Sequence, residues 1–113
     1  MEEQVKKTIT ELLYDRGYSD TSIEEDCITV PGVLSVYIIK DPKVGVNHMK
    51  EIRTALESKN MKHTIIAYNQ SITSFAKQYI DEMIQDDIRV EIFKQSELYA
   101  IHEALIYDSF INM

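Results

Sequence analysis

The sequence predicts a single α/β domain, a three-layer α/β/α sandwich in which helices cover both faces of a mixed sheet of about four strands. Three observations favour this class. Helix and strand patterns alternate from residue 33 onward. Two of the strand candidates are apolar on both faces, as strands are when helices cover a sheet on both sides. The chain has 113 residues of which 44% are hydrophobic, which suits one domain with one core.

The first predicted element is a helix over residues 2–16, because apolar side chains recur there at helical spacing along one stripe. Gly17 follows directly and is expected to take the left-handed conformation that ends a helix. Residues 19–26 contain hydroxyl side chains followed by acids, which is typical of a polar loop or a short turn of helix. Residues 27–30 then form a short strand candidate.

A central strand is predicted over residues 33–39, after the turn at Pro31-Gly32. Lys40-Asp41-Pro42-Lys43 ends this strand, since proline cannot donate to a sheet ladder. Gly45 lies just before the next helix, where positive φ or close packing would make a β-branched substitution damaging.

A second helix is predicted over residues 46–59, with Asn47 as a plausible cap and Asn60 placed to end it. Residues 63–68 form another strand that is apolar on both faces. Both elements fit a crossover unit in which a helix joins two strands of the sheet.

The remaining elements are a polar loop over residues 69–73, a helix over 74–85 and a strand over 88–93 with one more polar face. Thr73 is the expected cap of that helix. The side chains expected to face its core are Phe75, Tyr79, Ile80 and Met83. A last helix is predicted from Ser96 to about Tyr107.

Composition excludes several classes of protein. The net charge is −7, which disfavours strong independent binding to nucleic acid, although residues 40–63 carry six bases against three acids. Cys27 is the sole cysteine and cannot form an internal disulfide, so we expect an intracellular, reducing environment. No apolar run approaches the ~20 residues of a membrane span, and no phosphate-binding glycine loop or histidine pair is present.

One set of charged residues suggests a nuclease as an alternative. Asp26 precedes one strand, and Asp41-Pro42-Lys43 ends the next. Two carboxylates that hold Mg²⁺ and a lysine that polarises water or phosphate would form a hydrolytic site. Because Pro42 interrupts the regular strand geometry that aims such side chains at one metal, an ordinary strand-to-helix turn is the favoured interpretation.

Three motifs are more specific than that triplet. They are Asp15-Arg16-Gly17-Tyr18 at the end of the first helix, Pro42-Lys43-Val44-Gly45-Val46 before the second, and Ile72-Thr73-Ser74-Phe75-Ala76-Lys77-Gln78 at the third. In this order and spacing the chain resembles the N-terminal jaw domain of the fifth subunit shared by the eukaryotic nuclear RNA polymerases I, II and III. The resemblance runs from about residue 5 to about residue 105.

The resemblance implies a restriction-endonuclease-like core without catalysis, without a cofactor and without a metal, in a domain on the lower jaw beside the downstream DNA. It implies that residues 1–113 are the jaw-type domain and that the C-terminal domain, which attaches the family's subunit to the largest subunit, is absent from this chain. The family has Thr-Pro-Ser-Ala where this chain has Thr73-Ser74-Phe75-Ala76. Such divergence suits a reduced parasitic eukaryote or a large DNA virus, with a nuclear location in the first case and a cytoplasmic factory in the second.

The residues themselves agree with one part of this expectation. The N-terminus of the helix that begins at Ser74 offers unpaired N–H groups and a partial positive charge, which suit a phosphate. Thr73, Ser74 and Lys77 can add donors, and Asn69 and Gln70 lie on the same loop. Such contacts would position duplex DNA without reading its sequence. The alternative for Thr73 is that it only caps its own helix.

The function predicted from the sequence is therefore a non-catalytic domain of a DNA-directed RNA polymerase subunit, active in transcription. Its expected partners are the largest subunit and other polymerase subunits, downstream duplex DNA bound weakly, and transcription factors, with no membrane contact. The alternatives are the small Mg²⁺-dependent nuclease that uses Asp26, Asp41 and Lys43, and an interaction domain with no nucleic acid nearby.

Overall fold

The computed structural model describes the backbone of residues 2–97 and the side chains of residues 5–97. The elements are, in order, α1 (Glu2–Asp15), β1 (Ser22–Ile23), β2 (Cys27–Val30), β3 (Leu34–Ile38), β4 (Lys43–Val44), α2 (Val46–Ser58), β5 (His63–Tyr68), β6 (Ser71–Ile72), α3 (Ser74–Gln85) and β7 (Arg89–Lys94). The main sheet has the order β1-β2-β3-β5-β7. Its first three strands are antiparallel, and β3, β5 and β7 are parallel, so the sheet is mixed as predicted.

Two separate cores lie on the two faces of this sheet. The apolar stripe of α1 packs on one face, together with side chains of β2, β3 and β5. The buried side chains of α2 and α3 pack on the other face. Strand alternation produces this division, since the neighbours Val36 and Tyr37 belong to opposite cores, as do Ile65 and Ile66. The three-layer α/β/α prediction is confirmed.

Helices α1, α2 and α3 end in the same hydrogen-bonded motif. In α1 the amide of Tyr18 donates to the carbonyl of Leu13, and the amide of Gly17 donates to that of Tyr14, each at 2.9 Å. This 6→1 and 5→2 pair defines a Schellman cap, which requires a left-handed residue after the helix. Gly17 has a φ of 96°, as the sequence predicts.

The other two helices repeat the cap with residues other than glycine. Asn60 ends α2 with a φ of 55°, and Asp87 ends α3 with a φ of 66°. The next residue in each helix is buried, and its amide donates to a carbonyl of the last helical turn: Met61 donates to Leu56, and Ile88 donates to Met83. The caps therefore set where each chain segment enters the following strand.

The long elements predicted between residues 2 and 93 are confirmed, with ends that differ by at most two residues. The short polar segments differ. Residues 22–23 form the edge strand β1 within a stretch expected to be a loop or helical turn, so the main sheet has five strands. The helix predicted over residues 96–107 lies, from residue 98 onward, outside the described residues. Within the described part, no helix combines the length and apolar character needed to cross a bilayer.

Candidate nucleic-acid interface

The polar loop expected over residues 69–73 is partly a strand. Strand β6 pairs in parallel with β4, so that Lys43 faces Ser71 and Val44 faces Ile72. This small sheet joins the loop that follows β3 to the loop that follows β5, which are neighbours because β3 and β5 are parallel. Its position at the carboxyl edge of the parallel strands is where open α/β sheets usually bind ligands.

Asn69 and Gln70 have different surroundings within this loop. The side-chain amide of Asn69 donates to the carbonyl of Lys40 at 3.2 Å, so it ties the two loops together. The backbone amide of Gln70 donates to the carbonyl of Pro42 at 3.3 Å, and its side chain is exposed. Gln70 is thus available to a partner, whereas the Asn69 amide has a structural task.

Thr73 caps α3 as predicted. Its hydroxyl oxygen accepts from the amide of Ala76 at 3.2 Å, and its own amide donates to the carbonyl of Val44 at 3.0 Å. The first turn of a helix leaves several N–H groups without intrahelical partners, and this cap occupies one of them. Thr73 therefore fixes the helix terminus, while Ser74 presents an exposed hydroxyl beside it.

Lys77 and Ser74 are three residues apart and share one face of α3. Both are exposed, and no ion pair of Lys77 occurs among the described residues. The structure thus brings a lysine, a hydroxyl and a helix N-terminus to one surface. We use the name α3 terminus for this surface, made of Gln70, Thr73, Ser74 and Lys77.

Phe75 is not a core residue as expected, since it is 72% exposed. The core positions of α3 are Ala76, Ile80 and Met83. These three residues are spaced four and three positions apart, so they lie on one face of the helix, which is the buried face. Phe75 immediately precedes Ala76 in the chain and therefore points away from that face. A large aromatic ring therefore stands in solvent next to the α3 terminus.

The N-terminus of α2 lies at the same edge of the sheet but is organised differently from the prediction. Gly45, not Asn47, is the cap residue, and its φ of −100° is negative. A Cβ at Gly45 would meet only the Nδ1 atom of His48 at 3.9 Å, an ordinary contact. The expectation that Gly45 needs positive φ or tight packing is therefore wrong.

His48 is a residue of this edge that the sequence did not single out. The backbone amide of Gly45 donates to its Nδ1 atom at 2.9 Å, and its Nε2 atom lies 2.7 Å from a carboxylate oxygen of Asp41. Since Nδ1 accepts, the proton of the neutral ring is on Nε2 and is donated to Asp41. The signal in the sequence is the position of His48 three residues after Gly45, where an N3 side chain reaches back to the cap amide.

The proposed nuclease residues do not form one site. Asp26 and Asp41 line a cleft of about 480 Å³ between α2 and the ends of β2 and β3, but Lys43 is exposed on β4 and does not line it. Asp26 pairs with Lys40 at 3.2 Å, and Asp41 with His48. No group of three histidine, cysteine or acidic residues able to hold a metal occurs in the described part of the chain. This arrangement does not support the nuclease alternative.

The floor of the same cleft is apolar and carries one unusual polar group. Tyr37 lines it together with Ile39 and Ile52. The hydroxyl of Tyr37 is buried and makes no hydrogen bond of ordinary geometry to the described residues. Burial, with a smaller contribution from Cys27, raises the pKa of Tyr37 and outweighs the lowering by the nearby Lys59 and Ser35, so this hydroxyl remains neutral over the physiological range.

No family model matches the chain, whereas comparison with known proteins finds a relative. The chain is 31% identical over 114 aligned residues to the DNA-directed RNA polymerases I, II, and III subunit rpabc1 of Dictyostelium discoideum. The alignment covers 84% of this chain and 58% of that subunit, so the chain spans little more than half of the relative's length. The resemblance inferred from the three motifs is confirmed by this match, which supports a divergent homologue of the subunit shared by RNA polymerases I, II and III over the aligned part of the chain.

Proposed function

We propose that this chain is a non-catalytic domain of a DNA-directed RNA polymerase subunit, in which it forms a rigid jaw element beside the downstream duplex. The observation that carries the proposal is the 31% identity to a shared polymerase subunit over 84% of the chain. Function in the nucleus, assembly with the largest and other polymerase subunits, and a docking surface for transcription factors belong to the same proposal.

The α3 terminus is the surface that we assign to the DNA. Phosphates bind well at helix N-termini, and Lys77 adds a positive charge on the same face as Ser74. The backbone of this surface is held on both sides, by the pairing of β4 with β6 and by the Thr73 cap. A fixed surface of this kind can support a duplex without a large cost in conformational entropy. These contacts carry no sequence preference, since they reach only phosphates.

The assembly part of the proposal is tested by purification. The full-length protein, tagged at its N-terminus, is recovered from the cells that encode it, and its partners are identified by mass spectrometry. We expect the largest polymerase subunit in a fixed ratio, stable to moderate salt. Recovery of the folded protein without any polymerase subunit would overturn the proposal.

The DNA part is tested in a reconstituted transcribing complex by site-specific photocrosslinking. A photoreactive residue replaces Gln70 in one protein and Ser58 in another, both exposed positions. Ser58 ends α2, at the opposite edge of the sheet from the α3 terminus, and serves as the matched control. We expect crosslinks to downstream DNA from position 70 only. Incorporation of both proteins with no DNA crosslink from position 70 would overturn the DNA contact while leaving the polymerase role intact.

A further inference from the structure

The far side of strand β7 has no neighbouring strand in the part of the chain that the structure describes. On its near side, the amide of Arg89 donates to the carbonyl of Lys62 at 2.7 Å, so the backbone polar groups of Arg89 point toward β5. Successive residues of a strand direct these groups to opposite sides, so those of Val90 and Ile92 point to the open side. The open edge therefore offers the amides and carbonyls of both residues to a further strand.

The two edges of the main sheet differ in how they are protected. The edge strand β1 has only two residues. Strand β7 has six, contains no proline, and pairs with β5 in unbroken register. Because short strands, proline and bulges are among the usual protections against added strands, β7 is the edge that is able to accept one.

An exposed apolar side chain lies beside this open edge. Tyr79 and Asp86 mark the side of α3 that faces α2, because both contact Arg53. At about 3.6 residues per turn, Ile84 lies on the opposite side of α3. Since α2 connects β3 to β5 and α3 connects β5 to β7 on one face of the sheet, that side of α3 is next to the open edge. Ile84 is 50% exposed, and an added strand would cover it.

The face of β7 that looks toward α3 continues this apolar surface. Val90, Ile92 and Lys94 lie on that face, since side chains alternate along a strand, and all three are half-buried. Val90 and Ile92 pack against the core under α3. Lys94 makes no ion pair with another described residue. The surface is thus apolar over most of its length and basic at the carboxyl end of β7.

We propose that the open edge of β7 binds an extended segment of another protein as a sixth strand of the main sheet. The segment carries apolar side chains at two alternate positions, beside Val90 and Ile92 and under Ile84, and a carboxylate beside Lys94. Main-chain hydrogen bonds supply affinity in this mode of binding, and the alternate side chains supply specificity. The inference does not depend on the polymerase role, because it uses only this edge of the sheet.

A second copy of this chain is a poorer occupant than such a segment. Strand β7 contains one acid, Glu91, and its carboxylate is already held by Arg16 and His63. A second β7 would therefore bring another Lys94 to the edge without a free carboxylate to meet it. Charge complementarity favours an acidic partner segment.

The open edge is tested first by amide hydrogen exchange of the full chain alone, followed by NMR. We expect the amides of Val90 and Ile92 to exchange at least about tenfold faster than those of Glu91 and Phe93, which point toward β5. Equal protection of all four amides would mean that another part of the chain covers the edge, and would overturn the proposal.

Binding is tested by NMR titration with the synthetic peptide Glu-Thr-Val-Thr-Val-Thr-Glu, which presents the required face in either strand direction. We expect slower exchange of the Val90 and Ile92 amides on binding, and affinity roughly threefold to tenfold weaker for the peptide with lysine in place of both glutamates. Ile84→Lys should weaken binding roughly tenfold. Ile23→Lys makes the same change at a 54% exposed position on β1, at the opposite edge, and should bind normally.

Three results would overturn the proposal. The first is absence of binding at millimolar peptide, with the variants folded. The second is equal binding by Ile84→Lys and Ile23→Lys. The third is a dimer in sedimentation of the full chain that Ile84→Lys dissociates, because this would assign the edge to a second copy.

Discussion

Arg16 and Glu91 are joined by two parallel hydrogen bonds, although 75 residues separate them. The Nη1 atom of Arg16 donates to Oε2 of Glu91 at 3.1 Å, and Nη2 donates to Oε1 at 3.0 Å. The Nε2 atom of His63 lies 2.7 Å from Oε2 of the same carboxylate. One carboxylate on β7 thus holds the end of α1 and the start of β5, which gives Arg16 of the Asp15-Arg16-Gly17-Tyr18 motif a structural task.

The carboxyl of Glu91 is held in its charged form by these partners. Burial alone would raise its pKa, but the hydrogen bonds from Arg16 and His63, together with their charges, hold the pKa below its ordinary value of 4.5. A carboxyl with a lower pKa in the folded state stabilises the fold above the unfolded-state pKa. This contribution is lost as the pH falls through the folded-state value.

We expect Glu91→Gln to lower the free energy of unfolding at pH 7 by about 1–3 kcal/mol, because it leaves the Arg16 guanidinium without its ionic partner. The difference between the two proteins should begin to shrink below about pH 4.5, where the unfolded-state carboxyl binds its proton, and should vanish as the pH falls through the lower folded-state pKa of Glu91. Urea unfolding at a series of pH values measures it. A difference in unfolding free energy that stays constant from pH 7 to pH 3 would contradict this account of the contacts among Glu91, Arg16 and His63.

Replacement by alanine should destabilise the protein at Gly17 and have little effect at Gly45. Gly17 has a φ of 96° with nothing within 4 Å of an added Cβ, so Gly17→Ala should cost about 1–2 kcal/mol through backbone strain alone. Gly45 has a φ of −100°, so Gly45→Ala should change stability by less than about 0.5 kcal/mol, because reduced freedom in the unfolded state offsets a weaker cap. Thermal melts of both variants measure this, and equal losses would contradict it.

The long elements were predictable because each has its own local signal. Neighbouring residues alone predict the apolar stripe of α1 and the strands β3 and β5, which are apolar on both faces. The same is true of the caps at Gly17 and Asn60. Strands β4 and β6 were not predictable, since each has two residues and exists only because two distant loops meet at the sheet edge. The hydrogen bond from Asn69 to the carbonyl of Lys40 has the same origin.

The error at Phe75 has a different cause. Of the four side chains expected to face the core, Ile80 and Met83 are buried and Tyr79 packs against the same cluster. The position one turn before Ile80 is Ala76, and hydrophobic size favours the neighbouring Phe75 over this small residue. Because a small alanine gives a weaker hydrophobic signal than a phenylalanine, the local pattern does not indicate which of the two adjacent positions is buried.

The isolated chain should bind linear duplex DNA only weakly. Its net charge is −7, and the α3 terminus offers one lysine and one helix end, which suits contact with few phosphates. Since affinity falls steeply with salt, we expect a Kd weaker than about 1 µM at ~150 mM salt. Fluorescence anisotropy with a labelled duplex measures it. Sub-micromolar binding at that salt concentration would mean that a second basic surface contributes.

Lys77→Glu should weaken engagement of the downstream duplex in the assembled polymerase without unfolding the chain. Lys77 is exposed, and an acid near the start of α3 slightly favours the helix dipole, so the melting temperature should be unchanged. Loss of one phosphate contact should reduce the slope of log affinity against log salt by about 0.9, and the added repulsion should lower affinity roughly threefold to tenfold. Catalytic rates at saturating DNA should not change, because the role proposed for this domain is non-catalytic.

The matched control for this experiment is Lys62→Glu, which makes the same change of charge at an exposed position just before β5. Since β5 runs from that end of the sheet toward the β4–β6 pair, Lys62 lies at the opposite edge from the α3 terminus. A general electrostatic effect of added negative charge would weaken DNA binding equally in both variants. A direct phosphate contact would weaken only Lys77→Glu and change its salt slope, so equal behaviour of the two variants would remove the α3 terminus from the DNA path.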